Sequence, residues 1–236
     1  MGPLAVRPDR QGLGLGKAVV QSAIDWLKEK RSGTVGLETM PRTVENIGFY
    51  SRLGFVPAHL TITLTGDAMS NVRSMRHRFL RLGELPESEQ AALLAGCRVR
   101  LARSAPGCDY TREHELTHEL GIGDTVVVEH AGVRGFALWH SAPLAEARPA
   151  EELRVLKLFA DSQETFARLI VALEVCAAKL RIRRVAIRCQ TLYTDAYRYL
   201  VERGYRVRWT DLRMTLAGHP ESVTPEGEIL FSNWEI

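Results

Sequence analysis

The chain has 236 residues, 45% of them hydrophobic and 25% charged. This is the composition of an ordinary globular protein; it excludes disordered, collagen-like and disulfide-scaffold classes and leaves room for one large domain or two small ones. Basic residues number 31 against 28 acidic, a net charge of +3 that makes no case for nucleic acid, and neither an apolar run of membrane-span length nor a signal-peptide h-region is present.

In chain order, Leu4-Ala5-Val6 is a short apolar run stopped by Pro8-Asp9 and reads as the end of a buried strand. Gly12, Gly14 and Gly16 follow, and then a helical pattern in which Leu15, Ala18, Val19, Ser22, Ala23, Trp26 and Leu27 form one apolar face. That helix is expected to end near Ser32-Gly33, with Lys28, Lys30 and Arg31 at its negative end. Thr34 to Met40 reads as a strand, Thr43 to Leu53 as a helix capped by Gly54, and Phe55 opens another strand. Thr61 to Thr65 alternates as a half-buried strand does.

A linker is expected from Gly66 to about Arg78, which divides the chain into domains 1–78 and 79–236. Pro86 to Glu89 starts a helix, and Cys97 to Glu119 reads as mixed helix and loop. Thr125 to Glu129 and Gly135 to Trp139 form a hairpin about a glycine turn. A strand from Leu153 to Leu158 precedes a helix from about Ser162 to Leu180. An offset of 150 residues pairs Val35-Gly36-Leu37 with Val185-Ala186-Ile187 and Gly54-Phe55 with Gly204-Tyr205, the signature of an internal repeat. The four cysteines have neither CxxC nor metal-ligand spacing and read as free thiols of a reducing cytoplasm.

Gln11-Gly12-Leu13-Gly14-Leu15-Gly16 lies between strand and helix, where glycines and a helix N-terminus suit a phosphate. A dinucleotide-binding turn is the rival, but the spacing is GxGxG rather than GxGxxG. The run from Leu4 through Pro8, Gln11, Gly14 and Gly16 resembles the acetyl-CoA motif of the GNAT N-acetyltransferase superfamily, [Q/R]xxGx[G/A]. Asn46-x-x-Phe49-Tyr50-x-x-Leu53-Gly54-Phe55 is similar to that family's second motif, departing from it in spacing at Gly48–Phe49.

The resemblance implies an α/β fold of two GNAT-like units, each a mixed, mostly antiparallel sheet flanked by helices, the first lacking its initial strands. It implies acetyl-CoA as cosubstrate and an amine, in a small molecule or a peptide, as acceptor. Backbone groups of Leu4, Ala5 and Val6 would then bond the pantetheine arm, and the amides of Gln11, Gly12, Leu13, Gly14, Leu15, Gly16 and Lys17 the pyrophosphate. Asn46 would touch the cofactor, and Tyr50 would protonate the departing thiolate. Tyr50 is also read as a core aromatic, sharing helical spacing with Ile47 and Leu53. Glu38 is the candidate base, with a plain strand-face acid as the other reading; Glu45 reads as surface charge and His59 as structural.

In the second copy Asp161, Glu164 and Phe166 replace Gln11, Gly14 and Gly16, and Ala196 and Leu200 replace Asn46 and Tyr50, so it is expected to be non-catalytic. His114-Glu115-Leu116-Thr117-His118 matches HExxH literally, which leaves a zinc hydrolase as a remote alternative; the primary expectation is no metal and a solvated helix surface. A second alternative is a non-catalytic acyl-CoA-binding or assembly module. The open edge at Leu4 leads to the expectation of either a truncated form of a longer protein or a homodimer that covers the edge.

Overall fold

The computed structural model describes residues 4–68, 79–143 and 150–234. It divides into two compact units: one of residues 1–61, 210–222 and 233–236, the other of residues 62–209 and 223–232. This differs from a boundary at residue 78, because a strand needs a hydrogen-bonding neighbour and the first unit draws one from the far end of the chain. Most of the expected linker, residues 69–78, lies outside the described residues.

In the first unit, α1 (Leu15–Glu29) and α2 (Val44–Ser51) accompany strands β1 (Gly36–Thr39), β2 (Phe55–Asp67) and β8 (Arg206–Leu216), which neighbour one another in the order β1, β8, β2. β1 pairs antiparallel with β8, Gly36 to Thr39 opposite Thr215 to Leu212. The core joins Val20, Ile24, Val35, Phe55, Met214 and Leu216, with Tyr50 and Phe49 packed against it. Two expectations are corrected. Leu4 to Arg7 is not a strand: the N–H groups of these residues find no partner among the described residues. The face α1 buries carries Val20 and Ile24, while Leu15, Val19 and Trp26 stay exposed. The segments expected at Phe55 and at Thr61–Thr65 form a single strand, β2.

The second unit contains β3 (Leu80–Arg81), α3 (Glu87–Ser104), α4 (Thr111–Glu119), β4 (Gly123–Glu129), β5 (Val133–His140), β6 (Glu152–Ala160), α5 (Gln163–Lys179), β7 (Arg184–Gln190), α6 (Thr194–Glu202) and β9 (Ile229–Ser232). Its sheet is mixed: β3–β4, β4–β5, β5–β6 and β6–β9 pair antiparallel, and β6–β7 pairs parallel. The ambiguous stretch from Cys97 resolves into the end of α3 and the whole of α4. α5 is buried along nearly its whole length, from Thr165 to Ala177 apart from the partly exposed Ala167 and Arg168.

Backbone details recur at the offset of 150. Arg31 and Arg181 both take left-handed φ, 56° and 59°, and Gly54 and Gly204 have φ of 92° and 91°. After each first helix Ser32 N donates to Leu27 O (3.0 Å) and Ile182 N to Ala177 O (2.9 Å). These bonds satisfy the carbonyls a helix leaves unpaired at its C-terminus.

Candidate cofactor-binding groove

The segment before α1 turns twice. Pro8–Arg10 forms a turn of 3₁₀ helix, and Gly12 and Gly14 follow with φ of 79° and 77°. A β-carbon at either glycine would meet nothing within 4 Å, so glycine is needed there for its left-handed backbone and not for space. Gln11 Nε2 donates to Val6 O at 3.3 Å and ties the loop back to the preceding segment.

Gly14 is the N-cap of α1, and no side chain bonds its first turn. Ala18 N is the first amide to find a carbonyl, Gly14 O at 3.0 Å. The first turn holds no acidic residue but does hold Lys17, the reverse of what a helix dipole favours. A helix N-terminus of this kind suits an external anion. Its N-terminus opens into a groove of about 360 Å³ lined by Val6, Gln11, Gly12, Gly14, Gly16 and Lys17, together with Arg10, Leu15 and Phe49. At Gly16 a β-carbon would meet Val6 at 3.5 Å and Phe49 at 3.8 Å, in ordinary van der Waals contact.

The remaining expected contacts fall elsewhere. Leu4 packs on the α1 core, Ala5 is exposed, and the Leu13 side chain is exposed. Asn46 is exposed on α2, its N–H donating to Thr43 O, and does not line the groove. Tyr50 sits edge-on between Phe49 (5.1 Å) and Phe55 (6.0 Å), half-buried, and burial raises its pKa. Its hydroxyl has no partner among the described residues. Phe49, which lines the groove and touches Tyr50, was not singled out in the sequence, although it adjoins Tyr50 in the motif. Arg10 was missed as well.

Glu38 lies in a buried charge network. Thr61 Oγ1 donates to Glu38 Oε1 at 2.5 Å, and Arg213 Nε lies 3.1 Å from the same oxygen. Arg213, with no exposed surface, also donates to Glu221 (2.7 Å) and lies under the Trp234 ring at 3.7 Å. His59, read as structural from the sequence, is 3.4 Å from Glu221. Both partners of Glu38 are in place without a ligand, an arrangement that fits holding charge better than accepting a proton.

The second unit treats the equivalent place differently. Ser162 caps α5 by accepting from Thr165 N at 3.2 Å, and Asp161 is held by Arg134 and Thr165. Phe166, the counterpart of Gly16, is fully buried. β6 pairs with β7 over only Glu152 to Arg154, and from Lys157 onward the opened edge is taken by β9. The helix N-terminus is thus satisfied internally, and no groove of glycines remains.

The HExxH segment is a solvated surface only in part: Glu115, Leu116 and His118 are exposed, but His114 and Thr117 face inward. His114 is buried, its Nδ1 2.7 Å from Thr125 Oγ1 and its ring edge-on to Phe136, while His118 is exposed. Burial lowers the His114 pKa to about 4. Among the described residues no group of three or more His, Cys, Asp or Glu could hold a metal ion, and no helix is long and apolar enough to cross a membrane. All four cysteines are free.

Residues 1–55 match the family model described as Acetyltransferase (GNAT) family. Among solved structures, the chain is similar to a protein from Pyrococcus horikoshii assigned as an acetyltransferase (TM-score 0.66, 16% identity, 97% of this chain and 68% of that one). The fold is that of GNAT acetyltransferases. GCN5-related N-acetyltransferases from Sphaerobacter thermophilus (TM-score 0.52, 14% identity, 98% and 73%) and Anabaena variabilis (0.58, 10%, 98% and 66%) are also similar. At these identities the likeness is one of GNAT fold, and this chain spans about two thirds of the Anabaena protein's length. No curated protein matches the chain.

Proposed function

We propose that the chain is an acyl-CoA-dependent N-acyltransferase that takes acetyl-CoA in the α1 groove and passes the acetyl group to an amine. The observation that carries this reading is the glycine-capped N-terminus of α1: its first-turn amides lack partners among the described residues and open, beside Lys17, into a groove adjoining Phe49. These groups fit a diphosphate, with first-turn amides and the Lys17 and Arg10 charges to hold it. Bound acetyl-CoA would supply a thioester whose carbonyl carbon receives the amine and whose sulfur departs. The open backbone of Leu4 to Val6 would bond the pantetheine amides, and Tyr50, neutral through the physiological range, would donate its phenolic proton to the departing sulfur, the proton shed by the acylated nitrogen restoring the phenol.

In this reading the second half of the chain is a GNAT-like copy that has lost its cofactor place, with Asp161, Ser162 and Phe166 closing the helix N-terminus and β9 on the strand edge. Glu38 serves Arg213 as an ion-pair partner. Isothermal titration with acetyl-CoA, followed by a thiol-release assay over an amine panel, tests the proposal. Binding with turnover supports it, binding alone reduces it to an acyl-CoA-binding module, and no binding removes it.

A further inference from the structure

The second unit carries a groove that no step of acetyl transfer uses. It lies between α3 and α4 and has a volume of about 390 Å³, a size that small molecules occupy. Two helix stripes form its walls. On α3, Glu87, Ala91, Leu94, Ala95 and Arg98 share one face, and on α4, Thr111, His114, His118 and Glu119 share another. Leu82, just before α3, lines the end near Glu87.

Charge is sorted along this groove. Residues 105–110 bring the chain back along α3, so Arg98 stands near the start of α4. Asp109 there has its pKa lowered by hydrogen bonds from Thr111 and also by the Arg98 charge. The same antiparallel course sets Glu119 toward Glu87 at the other end. Arg98 and Glu87 have no ion-pair partner among the described residues, whereas Glu115 and Glu119 share the exposed Arg112. A guanidinium and a carboxylate are thus held about 16 Å apart along α3, with Leu94, Ala91 and Ala95 between them.

His114 adds a buried polar group to the floor. It is 3% exposed, and that remaining surface faces the groove it lines. Thr125 holds Nδ1 at 2.7 Å and Phe136 packs edge-on to the ring, while Nε2 has no partner among the described residues. With the Thr125 hydroxyl donating to Nδ1, Nε2 carries the hydrogen and is a donor. Burial keeps the ring uncharged at neutral pH, its pKa lowered to about 4.

We propose that the α3–α4 groove binds a linear amino carboxylate, a small molecule with an ammonium at one end and a carboxylate at the other. The carboxylate would lie on the Arg98 fork and His114 Nε2, both suited to a charge-assisted hydrogen bond. The methylenes would cross Ala95, Leu94 and Ala91, and the ammonium would end between Glu87 and Glu119. A fatty acid leaves the acidic end unmet, and a plain amine leaves Arg98 unmet. All of these residues belong to the second unit and none lines the α1 groove, so binding here is independent of acetyl transfer.

Isothermal titration of the intact chain without acetyl-CoA tests this, with ε-aminocaproate as probe and caproate and hexylamine as single-charge controls. The expected result is one saturable site at which ε-aminocaproate binds at least about tenfold more tightly than either control. Arg98→Gln should erase the advantage over hexylamine, and Glu87→Gln combined with Glu119→Gln the advantage over caproate. Ala95→Trp, which fills the groove, should abolish binding. All four positions are exposed, so these variants keep the parent's circular dichroism and melting temperature. Absence of saturable binding overturns the proposal, as does equal binding of either control. Binding unchanged in Arg98→Gln or in the double glutamate variant also overturns it, because the site would then lie elsewhere.

Discussion

Arg213 holds Glu38 at 3.1 Å with its guanidinium fully buried, and the same guanidinium reaches Glu221 at 2.7 Å. Breaking such a pair from one side strands a charge in the interior, at a cost of about 3–5 kcal/mol. Arg213→Met is expected to lower unfolding free energy by about that amount in urea titrations. Glu38→Gln keeps the hydrogen-bonding shape and should lower stability while leaving kcat of the folded protein nearly unchanged. A drop of about 10²-fold, the scale of a lost general base, would instead make Glu38 the proton acceptor.

Gly14→Glu and Gly16→Glu place a carboxylate at the mouth of the groove. At Gly14 the left-handed φ adds backbone strain; at Gly16 the side chain must grow past Val6 and Phe49. Losing two charge-assisted hydrogen bonds to a phosphate corresponds to at least about 100-fold in affinity. Titration calorimetry with acetyl-CoA should show that loss in both variants, with circular dichroism unchanged.

Tyr50→Phe removes the phenolic proton and little else, because the ring keeps its edge contacts with Phe49 and Phe55. Acetyl-CoA affinity should persist and kcat should fall by about 10²–10⁴-fold. Burial raises the phenol's pKa above 10, so the acid form persists through pH 7–9. The wild-type kcat profile should show no decline from this group until pH passes the ordinary tyrosine range.

His114 makes stability depend on pH in a definite direction. Burial lowers its pKa from 6.5 to about 4, so between those values the unfolded chain binds a proton that the folded chain does not. Its contribution is fully present above pH 6.5 and is lost as pH falls toward 4, by an amount on the order of 3 kcal/mol. Denaturant titrations from pH 7 to 4 should show this slope, and His114→Gln, which can still bond Thr125, should flatten it.

Much of the candidate groove was legible because it is local. Val6, Gln11, Gly12, Gly14, Leu15, Gly16 and Lys17 lie within one short stretch, and a turn into a helix with αL glycines is specified by residues in immediate succession. The internal offset was legible for the same reason: the caps at Gly54 and Gly204 answer to local sterics. Asn46 was misplaced because a motif gives spacing along the chain but not which side of a helix faces the groove.

The sequence by itself determined the turn chemistry, the positions of α1, α2, α5 and the β4–β5 hairpin and the absence of a glycine cradle in the second copy, each a matter of backbone sterics and nearby residue types. Only the tertiary structure decided that Glu38 is tied to Arg213, that β9 takes the edge of β6, and that the α1 face carrying Leu15, Val19 and Trp26 is left open while Val20 and Ile24 are buried. The reason is physical. An apolar stripe or a strand edge advertises that it needs a partner, but which partner reaches it depends on chain segments far away in sequence, whose pairing no local pattern encodes.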